Sequence, residues 1–154
     1  KDGVQQVILN GENVTSLLRI EETGKMASKT SKYAAVRTKL VALQRGLAKK
    51  TDVIMDGRDI GTTVLPDAFA KIYLTASSDA RAKRRYDELK EKGENCSFDA
   101  IKEDIEKRDY EDMHRAISPL KQADDAELVD TSDMNIEQVV AALSKIIDDK
   151  KAGR

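Results

Sequence analysis

Residues 53–61 read Val-Ile-Met-Asp-Gly-Arg-Asp-Ile-Gly, and this stretch decides the fold class. Its three apolar residues end abruptly in glycines and charged residues that cannot continue a strand. A buried parallel strand ends in this way when it delivers polar groups to the carboxyl edge of an open α/β sheet, where such sheets bind their ligands. The stretch therefore predicts a parallel α/β fold with a ligand site at the end of a strand.

The charged residues of this stretch suit a site for nucleotide phosphates. Asp56 stands where an aspartate would hold magnesium beside the phosphates, and Arg58 and Asp59 add a cation and an anion. A phosphoryl-transferring enzyme of this type also uses a loop of the form G-x-x-x-x-G-K-[ST]. No glycine of this sequence begins such a loop. We therefore expect the sequence to hold only part of a nucleotide site.

Composition narrows the functional classes. The 154 residues suit one domain, or one domain with an insertion, and although 36% of them are charged the net charge is only -1. Such a chain lacks the basic field that drives sequence-independent binding to nucleic acids. The single cysteine, Cys96, excludes an intramolecular disulfide, and no apolar run approaches the ~20 residues of a membrane span. We expect a cytoplasmic monomer that binds neither nucleic acid nor membrane.

The apolar periodicity predicts alternating helices and strands. The predicted elements are a hairpin over residues 4–14 around Asn10-Gly11, helices over 20–31 and 33–49, strands over 53–55, 71–74 and 127–129, charged helices over 79–92 and 98–116, and a last helix from a capping box at Asn135 through Ile147. We expect the lysine-rich end after Asp148 to be frayed.

Arginine is concentrated on the two charged helices. The residues are Arg81, Arg84 and Arg85 on the first helix, and Arg108 and Arg115 on the second. Guanidinium groups on a closing lid neutralise the charge of a phosphoryl-transfer transition state and expel water. Asp112 lies four residues after Arg108 and three before Arg115, so the three share a helical face. The alternative for this triplet is a surface salt bridge, which contributes only tenths of a kcal/mol.

Several short motifs follow one another in a fixed order. They are D-G-R-D-I-G-T-x-V over residues 56–64, P-D-A over 66–68, K-I-Y-L-x-A-S over 71–77, A-R-A-K-R-R over 80–85, E-K-G over 91–93, E-K-R-D-x-E-D-x-x-R over 106–115 and A-x-x-P-L over 116–120. Together they resemble the bacterial cytidylate kinase family. Residues 18–20, 26–28 and 36–37 resemble elements of that family's monophosphate-binding insertion, so the resemblance covers nearly the whole sequence.

The resemblance implies the α/β fold of a P-loop nucleoside monophosphate kinase, with a parallel sheet and helices, an incomplete core, a monophosphate-binding insertion and a helical lid. The implied divisions are residues 1–50 for the insertion, 51–78 for part of the core, 79–118 for the lid and 119–154 for the rest of the core. The family's first strand, phosphate loop and first helix have no counterpart in this sequence. Since the sequence opens inside a hairpin, we expect that an upstream region was removed or is not resolved.

The resemblance also implies the reaction and the residues that perform it. The implied reaction transfers the γ-phosphoryl group of ATP to CMP or dCMP with Mg²⁺, in pyrimidine nucleotide metabolism. The implied CMP-binding residues are Ser28, Arg37 and Asp59 for cytosine, Arg19, Arg58 and Arg115 for the monophosphate, and Arg108 and Asp112 near the sugar and the transferred group. Of these, Arg58, Arg108, Asp112 and Arg115 are the implied catalytic residues. Arg81, Arg84 and Arg85 would lie on the ATP side, and Asp56 would act through magnesium and its waters.

Some residues depart from the family pattern, and other functions stay open. Tyr110, Met113 and His114 interrupt a run that the family often fills with charges, which puts secondary lid contacts in doubt. His114 and Cys96 are expected to have no catalytic role. The near alternative is the same fold acting on UMP or AMP. The alternative from another class is a non-catalytic module that binds pyrimidine nucleotides or associates with RNA. Without a phosphate loop, the chain as given is expected to be inactive.

Overall fold

The computed structural model describes residues 5–153, except for the side chains at positions 19 and 21. The chain forms two compact units, Lys1–Lys50 and Thr51–Arg154. Helices and two parallel strands make the fold α/β, as the sequence predicts. None of the described helices is long and apolar enough to cross a membrane.

The first unit begins with a short antiparallel hairpin. Strand β1 (Ile8–Leu9) pairs with β2 (Glu12–Asn13), and both residues of the connecting turn have positive φ, 51° at Asn10 and 90° at Gly11. Asn-Gly favours a two-residue turn of this kind because Gly carries no side chain and Asn tolerates the left-handed region. The predicted hairpin is confirmed over the described residues, while its expected start at Val4 lies outside them.

Two helices complete the first unit. A 3₁₀ turn over Thr15–Arg19 leads into α1 (Glu21–Thr30), which is followed by α2 (Ala34–Ala48). Both helices lie within two residues of their predicted limits. Along α2 an apolar stripe recurs at helical spacing and its members are 37–56% exposed: Val36, Leu40, Leu43 and Leu47.

The second unit is built around a parallel pair of strands. Strand β3 (Ile72–Thr75) lies beside β4 (Glu127–Asp130), with Ile72 opposite Glu127 and Thr75 opposite Asp130. Parallel strands need a long crossover, and here two helices supply it, α3 (Ser78–Glu91) and α4 (Phe98–His114). Each helix begins after a serine cap. Ser77 accepts a hydrogen bond from the Ala80 amide, and Ser97 accepts one from the Ala100 amide.

The last helix, α5 (Ile136–Ala152), begins with the predicted capping box. The Gln138 amide donates to Asn135 Oδ1 at 2.9 Å, and the Asn135 amide donates to Gln138 Oε1 at 2.9 Å. The expected fraying after Asp148 is wrong, since α5 continues to Ala152. Lys150 pairs with Glu127 at 3.0 Å and lies in the last turn, where a positive charge also suits the helix dipole.

The predicted strand over residues 53–55 is wrong for the described residues. The structure has no regular secondary structure from 52 to 56, and Ile54 is 99% exposed. A strand is stable only when its backbone groups are paired and one face is covered. Neither condition is met here within residues 5–153, although the apolar run itself suits a strand.

A single π-helical turn over Ile60–Val64 follows that segment, and the sequence does not predict it. The Asp59 carbonyl accepts hydrogen bonds from the amides of Thr63 at 2.8 Å and Val64 at 3.1 Å. Val64 is only 2% exposed and packs into the small core, whose other apolar members are Ala76, Ala82 and Val129. The turn is therefore anchored at its end, and isolated π turns are frequent at functional sites.

Candidate functional site

Charged side chains from distant parts of the second unit meet around Asp112, which is 9% exposed near the end of α4. The Arg58 Nε atom donates to Asp112 Oδ2 at 2.8 Å. The Arg115 Nη1 atom lies 3.8 Å from Asp112 Oδ1, and Arg115 Nη2 lies 3.8 Å from Asp59 Oδ1. We call these four residues, Arg58, Asp59, Asp112 and Arg115, the charge cluster.

Arg115 is the member of the cluster whose hydrogen bonding is incomplete. Its side chain is 13% exposed, and its Nε donates to the Ser118 carbonyl at 2.6 Å. Its buried Nη2 atom has no hydrogen-bond partner among the described residues. Because leaving a buried donor unpaired costs about 1–3 kcal/mol, such a group calls for a partner. An anion placed beside Arg115 would supply one.

The end of α4 explains how Arg115 meets the Ser118 carbonyl. The helix stops at His114, and Arg115 adopts an extended backbone with φ of -65° and ψ of 142°. Ser118 then takes a positive φ of 48°, and the Leu120 amide donates to the Asp112 carbonyl at 2.8 Å. The chain thus turns back against the end of α4, which brings the Ser118 carbonyl to the Arg115 guanidinium.

The residues before the π turn include two aspartates, Asp56 and Asp59, which differ in exposure. Asp59 begins the turn, and its side chain is 11% exposed. A Cβ atom on Gly57 would lie 2.9 Å from Ile60 Cγ1, so a larger residue there would force the Ile60 side chain or the backbone to shift. Asp56, in contrast, is exposed.

Asp56 is the only residue that the sequence analysis assigned to a metal. The described residues contain no group of three or more His, Cys, Asp or Glu that could hold a metal ion. Mg²⁺ often keeps several waters and takes only one or two carboxylates together with substrate phosphates. An exposed single carboxylate such as Asp56 fits that kind of site.

Arg81 joins the two charged helices to the sheet. Its Nη1 and Nη2 atoms donate to the two carboxylate oxygens of Asp109 on α4 at 3.0 and 2.6 Å. Its Nε atom donates to the carbonyl of Ala76, just after β3, at 3.0 Å. The hydrogen bonds that Arg81 donates to the Asp109 carboxylate raise the pKa of Arg81. The guanidinium is thus bonded to protein acceptors on all three nitrogens.

Arg84 and Arg85 have different surroundings although they are adjacent on α3. Arg84 Nη2 donates to the carbonyls of Thr131 and Met134, the latter at 3.3 Å, which ties α3 to the loop after β4. Arg85 pairs with Glu88 at 2.8 Å, and both side chains are at least 40% exposed. Hydrogen bonds from Lys92 and Arg85 lower the pKa of Glu88 to about 2.

The remaining assigned residues lie on α4 or in the first unit. Arg108 is exposed and makes no hydrogen bond or ion pair among the described residues, although Asp112 lies one turn further along α4. Ser28 and Arg37 belong to the first unit, where both are half-buried. The Arg19 side chain lies outside the described part of the structure.

Lys71 is a residue that sequence reasoning missed. Its side chain is 9% exposed, and its ammonium group lies 2.5 Å from both Asp125 Oδ2 and the Pro66 carbonyl. The hydrogen bond from Lys71 lowers the pKa of Asp125. These partners lie 5 and 54 residues away from Lys71 and belong to no local pattern, so the sequence holds no signal that would have paired them.

The side chains of the two residues expected to be non-catalytic contact residues other than the four of the charge cluster. The ring of His114 stacks on Tyr110, with 4.0 Å between ring centroids, and Tyr110 is 64% exposed. Cys96 is half-buried beside the Tyr86 carbonyl.

Comparison with known proteins agrees with the motif order. A family model described as cytidylate kinase matches residues 1–149. The chain is 51% identical to the cytidylate kinase of Lactobacillus johnsonii over 98% of this chain and 66% of that protein. It is 47% identical to that of Enterococcus faecalis (95% and 65%) and 46% identical to that of Thermosipho melanesiensis (92% and 65%). The sequence thus spans about two thirds of the length of these relatives, and it belongs to the cytidylate kinase family of P-loop nucleoside monophosphate kinases.

Proposed function

We propose that this chain supplies the monophosphate-binding and lid parts of a kinase that transfers the γ-phosphoryl group of ATP to CMP or dCMP. The observation that carries the proposal is the buried, incompletely bonded Arg115 guanidinium between Asp59 and Asp112. The relatives named above are cytidylate kinases, which supports the choice of acceptor. On this proposal residues 1–50 form the monophosphate-binding insertion, 79–118 the lid, and 51–78 with 119–154 parts of the core.

The phosphate of CMP would bind to Arg58 and Arg115. Arg58 is 43% exposed, so it can turn toward a ligand, while Arg115 already holds a donor without a partner. A monophosphate dianion would accept hydrogen bonds from both guanidinium groups and would be held in place for in-line transfer. Without a ligand, Asp112 accepts a hydrogen bond from Arg58 and compensates the positive charge of its guanidinium group. We assign Arg19 to the same phosphate from the family resemblance alone.

The cytosine base would be read by Asp59. A carboxylate accepts a hydrogen bond from the exocyclic amino group of cytosine, whereas uracil would present a carbonyl oxygen to it. Two acceptors that face each other leave buried polar groups unpaired, which costs about 1–3 kcal/mol. Ser28 and Arg37 are the further base-binding residues that the resemblance supplies.

The ATP side would use the arginines of α3 with Asp56. Asp56 would hold Mg²⁺ through water, and the ion, when bound, offsets negative charge between the phosphates. Arg85 suits a phosphate contact because its partner Glu88 is itself exposed. Arg81 and Arg84 would have to exchange protein acceptors for phosphate oxygens. Arg108 and Asp112 are proposed to act near the sugar and the transferred group.

These 154 residues contain no loop of the form G-x-x-x-x-G-K-[ST], so we propose that this chain alone does not catalyse phosphoryl transfer. Nothing in the sequence would cradle the β- and γ-phosphates of ATP. The check is a coupled kinase assay on material whose intact mass equals this sequence. Measurable CDP formation would contradict this part of the proposal.

Titration calorimetry with CMP, UMP and AMP tests the assignment of the base site. We expect CMP to bind in preference to both controls, and Asp59→Asn to reduce the ratio of CMP to UMP affinity about tenfold, because 1.4 kcal/mol corresponds to a factor of ten. Arg115→Met should weaken CMP and UMP alike, since both carry the same phosphate. Equal binding of all three nucleotides, or an unchanged ratio in Asp59→Asn, would contradict the proposal.

A further inference from the structure

Lys71, the residue just before β3, is held at its far end by two separate loops. The ammonium group lies 2.5 Å from the Pro66 carbonyl and 2.5 Å from Asp125 Oδ2. Fixing both contacts leaves the four-carbon stem little freedom to move, and the side chain is 9% exposed. The Pro66 carbonyl and the Asp125 carboxylate, whose side chain is 65% exposed, together compensate the charge of the ammonium group.

The stem of Lys71 lies directly against the π turn. A Cβ atom placed on Gly61 would be 3.2 Å from Lys71 Cδ and 3.5 Å from Lys71 Cγ. The backbone of Gly61 and the lysine stem are therefore in close contact, and an alanine at this position would require the stem to shift by a few tenths of an ångström. Lys71 limits how far the turn can shift in this direction.

The same turn determines where Asp59 points. The Asp59 carbonyl accepts from the amides of Thr63 and Val64, so the backbone of Asp59 is part of the turn. Gly61 is two residues after Asp59, within the ring that these hydrogen bonds close. A displacement of Gly61 would be transmitted to the Asp59 backbone and from there to its carboxylate.

We propose that Lys71 is a positioning residue for base selection: anchored by Pro66 and Asp125, it holds the turn at residues 60–64 and thereby fixes the carboxylate of Asp59. This inference rests on the proposed role of Asp59 in reading cytosine. Lys71 touches no substrate in this role. It acts on selectivity because a carboxylate that can shift can also turn away from the uracil carbonyl, which removes the penalty against UMP.

Four variants and two controls test the proposal. Lys71→Met keeps most of the stem but loses both anchors, and Gly61→Ala pushes against the anchored stem. The third is the double variant, and Lys71→Arg serves as the conservative replacement. Gly46→Ala is the matched glycine control because a Cβ atom there meets nothing within 4 Å. Lys83→Met is the matched lysine control because the Lys83 side chain is 65% exposed.

The first readout is the ratio of CMP to UMP dissociation constants from titration calorimetry. We expect Lys71→Met and Gly61→Ala each to reduce the selectivity about five- to tenfold and the double variant to reduce it no further, because both act through one contact. Lys71→Arg should recover most of the selectivity, and the controls should keep it. A wild-type ratio in Lys71→Met, or additive losses in the double variant, would overturn the proposal.

The second readout separates this inference from the proposed function. Amide hydrogen exchange at Thr63 and Val64 reports directly on the hydrogen bonds to Asp59, with no nucleotide present. We expect at least about tenfold faster exchange at both amides in Lys71→Met, with unchanged exchange in β4. Faster exchange without CMP selectivity in the wild type would mean that the base assignment fails while the positioning holds. Unchanged exchange would overturn the positioning itself.

Discussion

The paired carboxylate and guanidinium of Asp109 and Arg81 should measurably stabilise the packing of α3 on α4. Two parallel hydrogen bonds of 3.0 and 2.6 Å join them, and the side chains are 36% exposed at Arg81 and 20% exposed at Asp109. Fully exposed pairs contribute about 0.2–1 kcal/mol, and hydrogen bonds to charged groups in protected positions about 1.5–3 kcal/mol. With exposure between these limits, we expect a coupling energy of about 1–2 kcal/mol.

A double-mutant cycle measures this coupling. Arg81→Met, Asp109→Asn and the double variant are compared with the wild type by urea unfolding, followed by circular dichroism of the helices, with equal denaturant slopes required in all four proteins. The matched control is the Lys83 and Asp87 pair on α3, which is 65% and 48% exposed and should couple by less than about 0.5 kcal/mol. A coupling between Arg81 and Asp109 no larger than that of the control pair would refute the reasoning.

Two further predictions concern the core and the acid range. Val64→Ala removes two methyl groups from a side chain that is 2% exposed, so we expect a loss of about 2–3 kcal/mol in the free energy of unfolding. The control Val140→Ala, at a position that is 56% exposed, should change the free energy of unfolding by less than about 0.5 kcal/mol. The pKa of Glu88 is lowered from 4.5 to about 2 by Lys92 and Arg85, so its ionised form stabilises the fold above pH 4.5 and that contribution is lost as the pH falls toward 2. The melting temperature of Glu88→Gln should therefore lie below that of the wild type at pH 7 and converge with it near pH 2. The control Glu94→Gln should differ from the wild type by the same amount at every pH. A constant difference between Glu88→Gln and the wild type over this range would contradict the assignment.

Elements with a complete local signal were predicted from the sequence. The Asn10-Gly11 turn and the capping box at Asn135 depend on residues within three positions of each other, so the sequence contains all the relevant chemistry. The prediction of a strand over residues 53–55 was wrong because a strand needs a neighbouring strand to pair with, and a local sequence pattern does not show whether one is present. The π turn at 60–64 was not predicted because it ends at the buried Val64, and burial depends on tertiary packing.

The same distinction holds for the candidate site. Asp112 and Arg115 are three residues apart, and helical spacing places them together. The hydrogen bond between Arg58 and Asp112 spans 54 positions, and the contact of Lys71 with Asp125 also joins distant segments. Family resemblance named Arg58 and Asp112 without their contact to each other, and it did not name Lys71. The roles of all the assigned residues in binding nucleotide remain predictions.

The hydrogen bonds of Arg84 set a threshold for any ligand that recruits it. Its guanidinium donates to the carbonyls of Thr131 and Met134 in the free protein. A phosphate that draws Arg84 away must first break these bonds, each with a net contribution of about 0.5–1.5 kcal/mol. Suppose that these hydrogen bonds favour the state in which Arg84 is bonded to the loop by a total of about 2 kcal/mol. The state in which Arg84 is free to bind a ligand is then populated at a few per cent, and the apparent affinity of the ligand is reduced to that fraction of its intrinsic value. If Arg84 binds nucleotide as proposed, the loop after β4 would compete with the nucleotide for this arginine. A substitution that weakens the hydrogen bonds between the loop and Arg84 would then tighten nucleotide binding without touching the nucleotide.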